Sequence, residues 1–221
     1  MKSRLFLFAG LLLAVVVICS ALAAEQEQMQ QMAKPMKLPK PQMTGGMPLM
    51  EALKARQTQR AYSSQKLSDQ MLSNLLWAAF GVNRPDSGKR TAPSAMNMQE
   101  IDIYVATADG LYLYDAKKNE LNTILSEDIR AATGPQPFVK DAPVNLVFVA
   151  DFAKMRGPEE GKVFYSATDT GFISQNVYLF CASEGLATVV RGYVEKDSLA
   201  KVMKLRGDQK IILAQTVGYP K

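Results

Sequence analysis

The chain has 221 residues, 48% of them hydrophobic and 21% charged, which is an ordinary globular composition and enough for one hydrophobic core. Its formal net charge of +5 comes from basic residues that are scattered rather than banded, so the composition does not indicate a nucleic-acid-binding protein. The chain has no histidine, which excludes Ser-His-Asp and Cys-His hydrolysis, the usual zinc catalytic sites and histidine acid–base chemistry. The difficult chemistry of an enzyme would then belong to a cofactor, although a binding protein without catalysis would equally lack histidine.

The first 23 residues have the pattern of a secretory signal peptide. Lys2 and Arg4 form a basic start, residues 5–18 are an apolar run, and Ala21-Leu-Ala23 supplies small residues at the spacing of a signal-peptidase site. The run is shorter than the roughly 20 residues of a membrane-spanning helix, which favours a cleaved signal over an uncleaved anchor. We therefore predict export, into the bacterial periplasm, with no membrane span after cleavage.

Residues 24–47 are rich in Gln, Met, Pro and Lys and are predicted to form a flexible leader, disordered or extended. Its methionines could bind a soft metal ion through their thioethers. A flexible tether explains the same composition, so no metal site is predicted. The folded domain is predicted over residues 48–221.

The first elements of this domain are predicted to be helical. Helical spacing runs from Leu49 to Arg60, and Ser68 is typical of the N-cap of a second helix that continues to Phe80. Residues 83–93 contain two prolines and a glycine, which predicts a loop.

Strands and helices alternate in the rest of the chain. Strands are predicted at residues 101–106 and 144–151, a hairpin at 110–115 and 120–124, helices at 168–185 and 197–205, and a final strand at 210–217. Gly185 is expected to end the long helix. The pattern is that of an α+β domain without internal repeats.

Three segments are candidates for a binding site. In the predicted first helix, Arg56 and Arg60 lie four residues apart with Thr58 between them, so they would share one face and could grip a phosphate. The second segment, residues 90–99, offers loop backbone and amides, and the third, residues 185–192, is a helix stop followed by an apolar strand and a glycine. Taken singly, each segment has an ordinary structural explanation: a solvated helix face for the first, a capped turn for the second and ordinary packing for the third.

Together and in this order, the segments resemble the nitroreductase family of flavoproteins. Arg56-x-Thr58-x-Arg60-x-Tyr62 is similar to the family's Arg-Ser-x-Arg-x-Phe motif, and Pro93-Ser-x-x-Asn97-x-Gln99 to its flavin loop. The remaining similar segments are Asp169-x-Gly171-x-x-x-Gln175-Asn176, Gly185 to Gly192 and Val217 to Pro220. The stretch from Arg90 to Asp115 looks closest to the branch that oxidises azoline rings in modified peptides, and the resemblance covers about residues 48–221.

The resemblance implies an α+β sandwich, with a central, mostly antiparallel sheet flanked by helices, that forms a homodimer with one FMN in each interface cleft. The residues implied in FMN binding are Arg56, Gln57, Thr58 and Arg60, then Pro93, Ser94, Ala95, Met96 and Asn97 from the partner subunit, then Val190, Arg191 and Gly192 near the flavin ring, and Lys221 as a substitute for a basic residue that relatives carry further on. No side chain is implied as a catalytic acid or base. The guanidinium of Arg191 is expected to point into the acceptor cleft.

The implied activity is hydride transfer from NAD(P)H, or from a redox partner, to a small organic acceptor. The azoline branch usually reads Gly-Ala-Leu-Tyr-Pro where this chain has Met96-Asn-Met-Gln-Glu100, so the substrate class of that branch does not carry over. Two alternatives remain open: an exported flavin-binding or electron-carrier module without turnover, and a relative that remodels flavin itself.

Overall fold

The computed structural model describes residues 35–221, so the predicted signal peptide and the predicted leader up to residue 34 lie outside the described residues. From Pro35 to Lys221 the chain forms one unit. No helix within this range is both long and apolar enough to cross a membrane.

A seven-stranded sheet forms the middle layer of this unit. The strands are β1 (Met36–Lys37), β2 (Val82–Arg84), β3 (Lys89–Arg90), β4 (Ile101–Thr107), β5 (Gly110–Asp115), β6 (Glu120–Leu125), β7 (Val144–Asp151), β8 (Ala187–Arg191) and β9 (Gln209–Gly218). Seven of them pair in the order β1-β6-β5-β4-β7-β9-β8, while β2 and β3 form a separate hairpin. Every neighbouring pair of these described strands is antiparallel, which confirms the predicted sheet.

Helices cover both faces of the sheet. They are α1 (Leu49–Ala55), α2 (Asp69–Phe80), α3 (Glu159–Glu184) and α4 (Lys196–Val202). Successive strand residues project to opposite faces, so Phe148 of β7 packs in the core beneath α2 and α3, whereas Val149 packs beneath α4. All eight residues of β7 are buried, as its continuous apolar run predicted, and the α+β sandwich is confirmed.

The predicted helix caps are present. The Ser68 hydroxyl accepts a hydrogen bond from the backbone N–H of Met71 at 3.2 Å and begins α2. Gly185 ends α3 in the left-handed conformation, with φ of 68°. Glycine adopts this conformation without steric strain because it has no Cβ. The predicted hairpin pairs Asp115 with Glu120.

Three predicted boundaries are wrong. The first helix ends at Ala55 instead of Arg60, because the chain turns extended at Arg56 and bonds to β8 instead. Part of the loop predicted at residues 83–93 is the β2–β3 hairpin. Helix α3 begins at Glu159 rather than at residue 168, and its first turns carry exposed apolar side chains that hide the helical period.

The second half of the predicted leader packs on the domain in an extended conformation. Met36 pairs with Leu121 of β6, and Leu38 is buried in the core. The backbone N–H of Gln42 donates to Asn74 in α2 at 2.9 Å, and that of Met47 donates to Ser183 in α3 at 2.7 Å. The folded unit therefore begins near Pro35 and not at residue 48.

Candidate functional site

Two of the three predicted segments meet at the side chain of Tyr178, in the second half of α3. Its hydroxyl accepts a hydrogen bond from the backbone N–H of Val190 in β8 at 3.0 Å and lies 3.1 Å from the hydroxyl of Thr58. The guanidinium of Arg56 lies over the Tyr178 ring, 5.3 Å from its centroid. The structure thus brings Arg56 and Thr58 together with Val190, which is far from them in the sequence.

The first predicted segment, around Arg56 to Arg60, is extended and runs beside β8. The N–H of Gln59 donates to the carbonyl of Thr188 at 3.0 Å, and Tyr62 forms a bridge with Pro220. The backbone N–H of Lys221 donates to the carbonyl of Ala61 at 3.3 Å, so Lys221 lies next to this segment. Arg56 and Arg60 therefore do not share a helix face, because both lie beyond the end of α1 in the extended segment.

The charges of this segment are available to a ligand. Arg60, Gln57 and Thr58 are exposed and Arg56 is half-buried. Within residues 35–221 neither Arg56 nor Arg60 forms a salt bridge with a carboxylate. Two guanidiniums and a hydroxyl on one short stretch can hold an anionic group that carries several acceptor oxygens.

The cavity beside Tyr178 is small. It has a volume of about 160 Å³, and its lining includes Gln57, Gln59 and Thr188. Ligand pockets usually have roughly 300–1,000 Å³. Among the described residues this place is therefore an open surface rather than an enclosed pocket for a planar ligand.

The loop of the second segment lies elsewhere on the same helix. The backbone N–H of Ala95 donates to the Asp169 carboxylate at 2.8 Å, and the Ser94 hydroxyl accepts from the N–H of Gln99 at 3.0 Å. Asp169 and Tyr178 are nine residues apart, about 13 Å along a helix. The structure therefore does not bring Pro93, Ser94, Ala95, Met96 and Asn97 to the other site residues within one chain.

This loop is held in a conformation that its sequence alone disfavours. Met96, Asn97 and Gln99 all have positive φ, between 50° and 53°. The left-handed region suits asparagine but is unfavourable for methionine. Met96 is nevertheless 71% exposed, so its side chain is available for a partner surface instead of the core.

Glu100, directly after the loop, is fully buried beside Asp169. Neither of its oxygens has an N–H or O–H donor within the described residues. Burial, together with the nearby Asp169 carboxyl, raises the pKa of Glu100 to about 7. Burial is the larger of the two causes, so Glu100 carries a proton in a substantial fraction of the molecules near neutral pH.

The expected orientation of Arg191 is wrong. The side chain is buried, and its guanidinium donates to the Thr133 carbonyl at 2.7 Å, to Asn145 at 3.1 Å and to the Thr216 hydroxyl at 3.0 Å. Alternation along β8 sends it to the face opposite Val190. Burial lowers the pKa of Arg191 to about 10, but the group remains charged at neutral pH. Only the backbone of Arg191 is left for a ligand, together with the exposed Gly192.

Comparison with known proteins decides the family. The model of the nitroreductase family matches residues 53–219. The chain belongs to the nitroreductase family. A protein of Methanocaldococcus jannaschii that is named a nitroreductase is 30% identical over 169 residues, which make up 72% of this chain and 85% of that protein.

Solved structures of this family share the fold. A nitroreductase of Ralstonia eutropha has a TM-score of 0.82 at 43% identity, with 86% of this chain and 91% of that chain covered. A nitroreductase of Desulfovibrio desulfuricans, crystallised in complex with FMN, has a TM-score of 0.59 at 21% identity, with 80% and 88% covered. As a nitroreductase, the chain is a flavin-dependent oxidoreductase, and the family expected from its motifs is confirmed.

Sequence reasoning missed two features of the site. Tyr178 lies within the helix predicted over residues 168–185, and nothing in its spacing shows that its hydroxyl contacts two other segments. The pairing of Glu100 with Asp169 had a weak signal, since Glu100 departs from the proline that the azoline branch carries.

Proposed function

We propose that this nitroreductase binds FMN and transfers a hydride between an electron donor such as NAD(P)H and a small organic acceptor of the nitro, quinone or azoline-like kind. The observation that carries the proposal is the junction at Tyr178, where Arg56, Thr58 and Val190 meet in a nitroreductase fold. FMN supplies a ring that can accept and release a hydride. Side-chain acid–base chemistry is not needed for that step, which agrees with the absence of histidine.

The residues present fit the chemistry of FMN. Its phosphate needs cationic partners, and Arg56 and Arg60 form no salt bridge with a carboxylate among the described residues. Gln57 and Thr58 offer neutral donors and acceptors to the ribityl chain and the pyrimidine edge, and Lys221 adds a positive charge at the chain end. Positive charge near the pyrimidine edge would favour the reduced, anionic ring.

We also propose that the working unit is a homodimer, with the loop of residues 93–97 supplied by the partner subunit. The separation of this loop from Tyr178 supports the proposal, since one chain cannot bring both to the same ligand. The exposed apolar side chains of α3 support it as well. Val163, Phe164 and Phe172 are 54%, 64% and 45% exposed, and apolar surface of this kind on one helix is typical of an interface.

The sequence of the first 23 residues leads us to propose an exported protein, in the bacterial periplasm. Free NAD(P)H is scarce there, so a redox partner protein or a quinol is a second candidate for the electron donor. The two alternative functions, an electron carrier without turnover and a flavin-remodelling protein, use the same FMN site and differ in what happens after binding.

One preparation tests the proposal. Recombinant mature protein should be yellow, and denaturation should release FMN and no FAD, because no glycine-rich dinucleotide loop opens a strand–helix unit in this sequence. Chromatography of the released chromophore identifies it, and steady-state oxidation of NADH or NADPH separates an enzyme from a carrier. A colourless protein that FMN cannot reconstitute would refute the proposal.

A further inference from the structure

The hydroxyl of Tyr178 has a defined proton arrangement. The backbone N–H of Val190 can only donate, so the Tyr178 oxygen accepts that hydrogen bond, at 3.0 Å. Tyr178 is 7% exposed, so its own hydroxyl hydrogen needs a protein partner. The Thr58 oxygen, at 3.1 Å, provides one.

This arrangement has a consequence for Thr58. If Tyr178 donates to the Thr58 oxygen, the Thr58 hydroxyl hydrogen is not used inside the protein. Thr58 is exposed, on the same stretch as Arg56 and Arg60, so this hydrogen is directed to the surface where the cofactor is proposed to lie.

We propose that Tyr178 is a positioning residue: its hydroxyl holds Thr58 as an outward-facing hydrogen-bond donor to FMN and ties it to the backbone of Val190. This inference rests on the proposed function. The Tyr178 ring has a separate contact, with the Arg56 guanidinium 5.3 Å from its centroid. Removing the hydroxyl alone leaves the ring in place, so Tyr178→Phe tests the hydrogen bonds without removing that contact.

The experiment is a double-mutant cycle read by FMN binding, not by activity. Apo-protein is titrated with FMN, and flavin fluorescence gives the Kd of wild type, Tyr178→Phe, Thr58→Val and the double variant. Each single change should raise the Kd about tenfold, because each costs FMN the one neutral hydrogen bond from Thr58, either by removing its hydroxyl or by releasing its orientation. The double variant should bind within about twofold of Thr58→Val, because Tyr178 acts through Thr58.

Two control variants complete the design. Thr58→Ser keeps the hydroxyl and should bind FMN more tightly than Thr58→Val. Tyr114→Phe also removes a tyrosine hydroxyl hydrogen bond, to Asn119 at 3.3 Å in the β5–β6 hairpin, and should not change the Kd. If Tyr178→Phe does not fold, the contrast between Thr58→Ser and Thr58→Val still decides, since equal binding by these two overturns the role of the Thr58 hydroxyl.

The possible failures are distinguishable. A Tyr178→Phe variant that binds like wild type, or a double variant whose Kd rises about a hundredfold as the product of the single effects, overturns the positioning role while the FMN site stands. A wild-type protein that does not bind FMN overturns the proposed function and this inference together.

Discussion

Replacing Arg191 by alanine should destabilise the fold instead of changing the choice of acceptor. The guanidinium is buried behind β8 and joins three elements by hydrogen bonds to Thr133, Asn145 and Thr216. No carboxylate forms a salt bridge with it among the described residues, so neutral acceptors alone compensate its charge. A Cβ added at Gly134 would overlap this guanidinium, which shows how closely the backbone surrounds it.

The size of the effect follows from what the truncation leaves behind. Three buried acceptors lose a charged donor: the Thr133 carbonyl, the Asn145 side chain and the Thr216 hydroxyl. Thr216 still donates to Asn145 at 2.7 Å, which compensates part of the loss. A buried acceptor without its donor costs about 1–3 kcal/mol. Because the unfavourable burial of the Arg191 charge is removed at the same time, we expect a net loss of about 3 kcal/mol in the free energy of unfolding. For a unit of this size that corresponds to a fall of about 6–12 °C in Tm.

Urea denaturation followed by circular dichroism measures the loss for Arg191→Ala. Arg206→Ala is the control, since the Arg206 guanidinium is likewise hydrogen-bonded, here to the Asp151 carboxylate at 2.9 Å, but is 56% exposed. Exposed pairs contribute about 0–1 kcal/mol. An Arg191→Ala protein with the stability of wild type and altered turnover would show that the guanidinium faces the cleft and that this structural role is wrong.

Three further predictions concern the cofactor, the buried acid pair and the interface. In titrations of apo-protein, Arg60→Ala should weaken FMN binding by about 1.5–3 kcal/mol, because a charge-assisted hydrogen bond is lost. Unchanged binding would show that Arg60 does not contact the phosphate. The folded-state pKa of Glu100, about 7, lies above that of an unfolded glutamate, about 4.3, so the folded protein holds an extra proton between these values. Its free energy of unfolding should therefore fall as pH rises from about 4.3 to 7 and then level off, whereas Glu100→Gln should lose this dependence; an equal slope in both proteins would contradict the raised pKa of Glu100. Phe164→Glu should convert the proposed homodimer to a monomer in light scattering, because it places a charge in the exposed apolar part of α3. A wild-type protein that is already monomeric with full flavin occupancy would refute the proposed interface.

Local patterns predicted most of the elements. The buried strand β7, the caps of α2 and α3 and the β5–β6 hairpin each depend on residues that are neighbours in the chain, so periodicity and turn chemistry were sufficient. The first turns of α3 were missed because Val163 and Phe164 face outwards in one chain. Helix prediction from periodicity assumes that the apolar residues lie on the one buried face. It therefore fails for helix turns that also carry apolar side chains on their exposed side.

The family and the order of the site segments follow from residue types and their spacing alone. The positions of those segments in space depend on long-range packing. It ended the first helix at Ala55, brought Thr58 and Val190 to Tyr178, and turned the Arg191 side chain into the core. Each of these outcomes depends on a hydrogen bond between residues more than ten positions apart. Such bonds are set by sheet register and helix packing, which produce no periodic pattern in the local sequence.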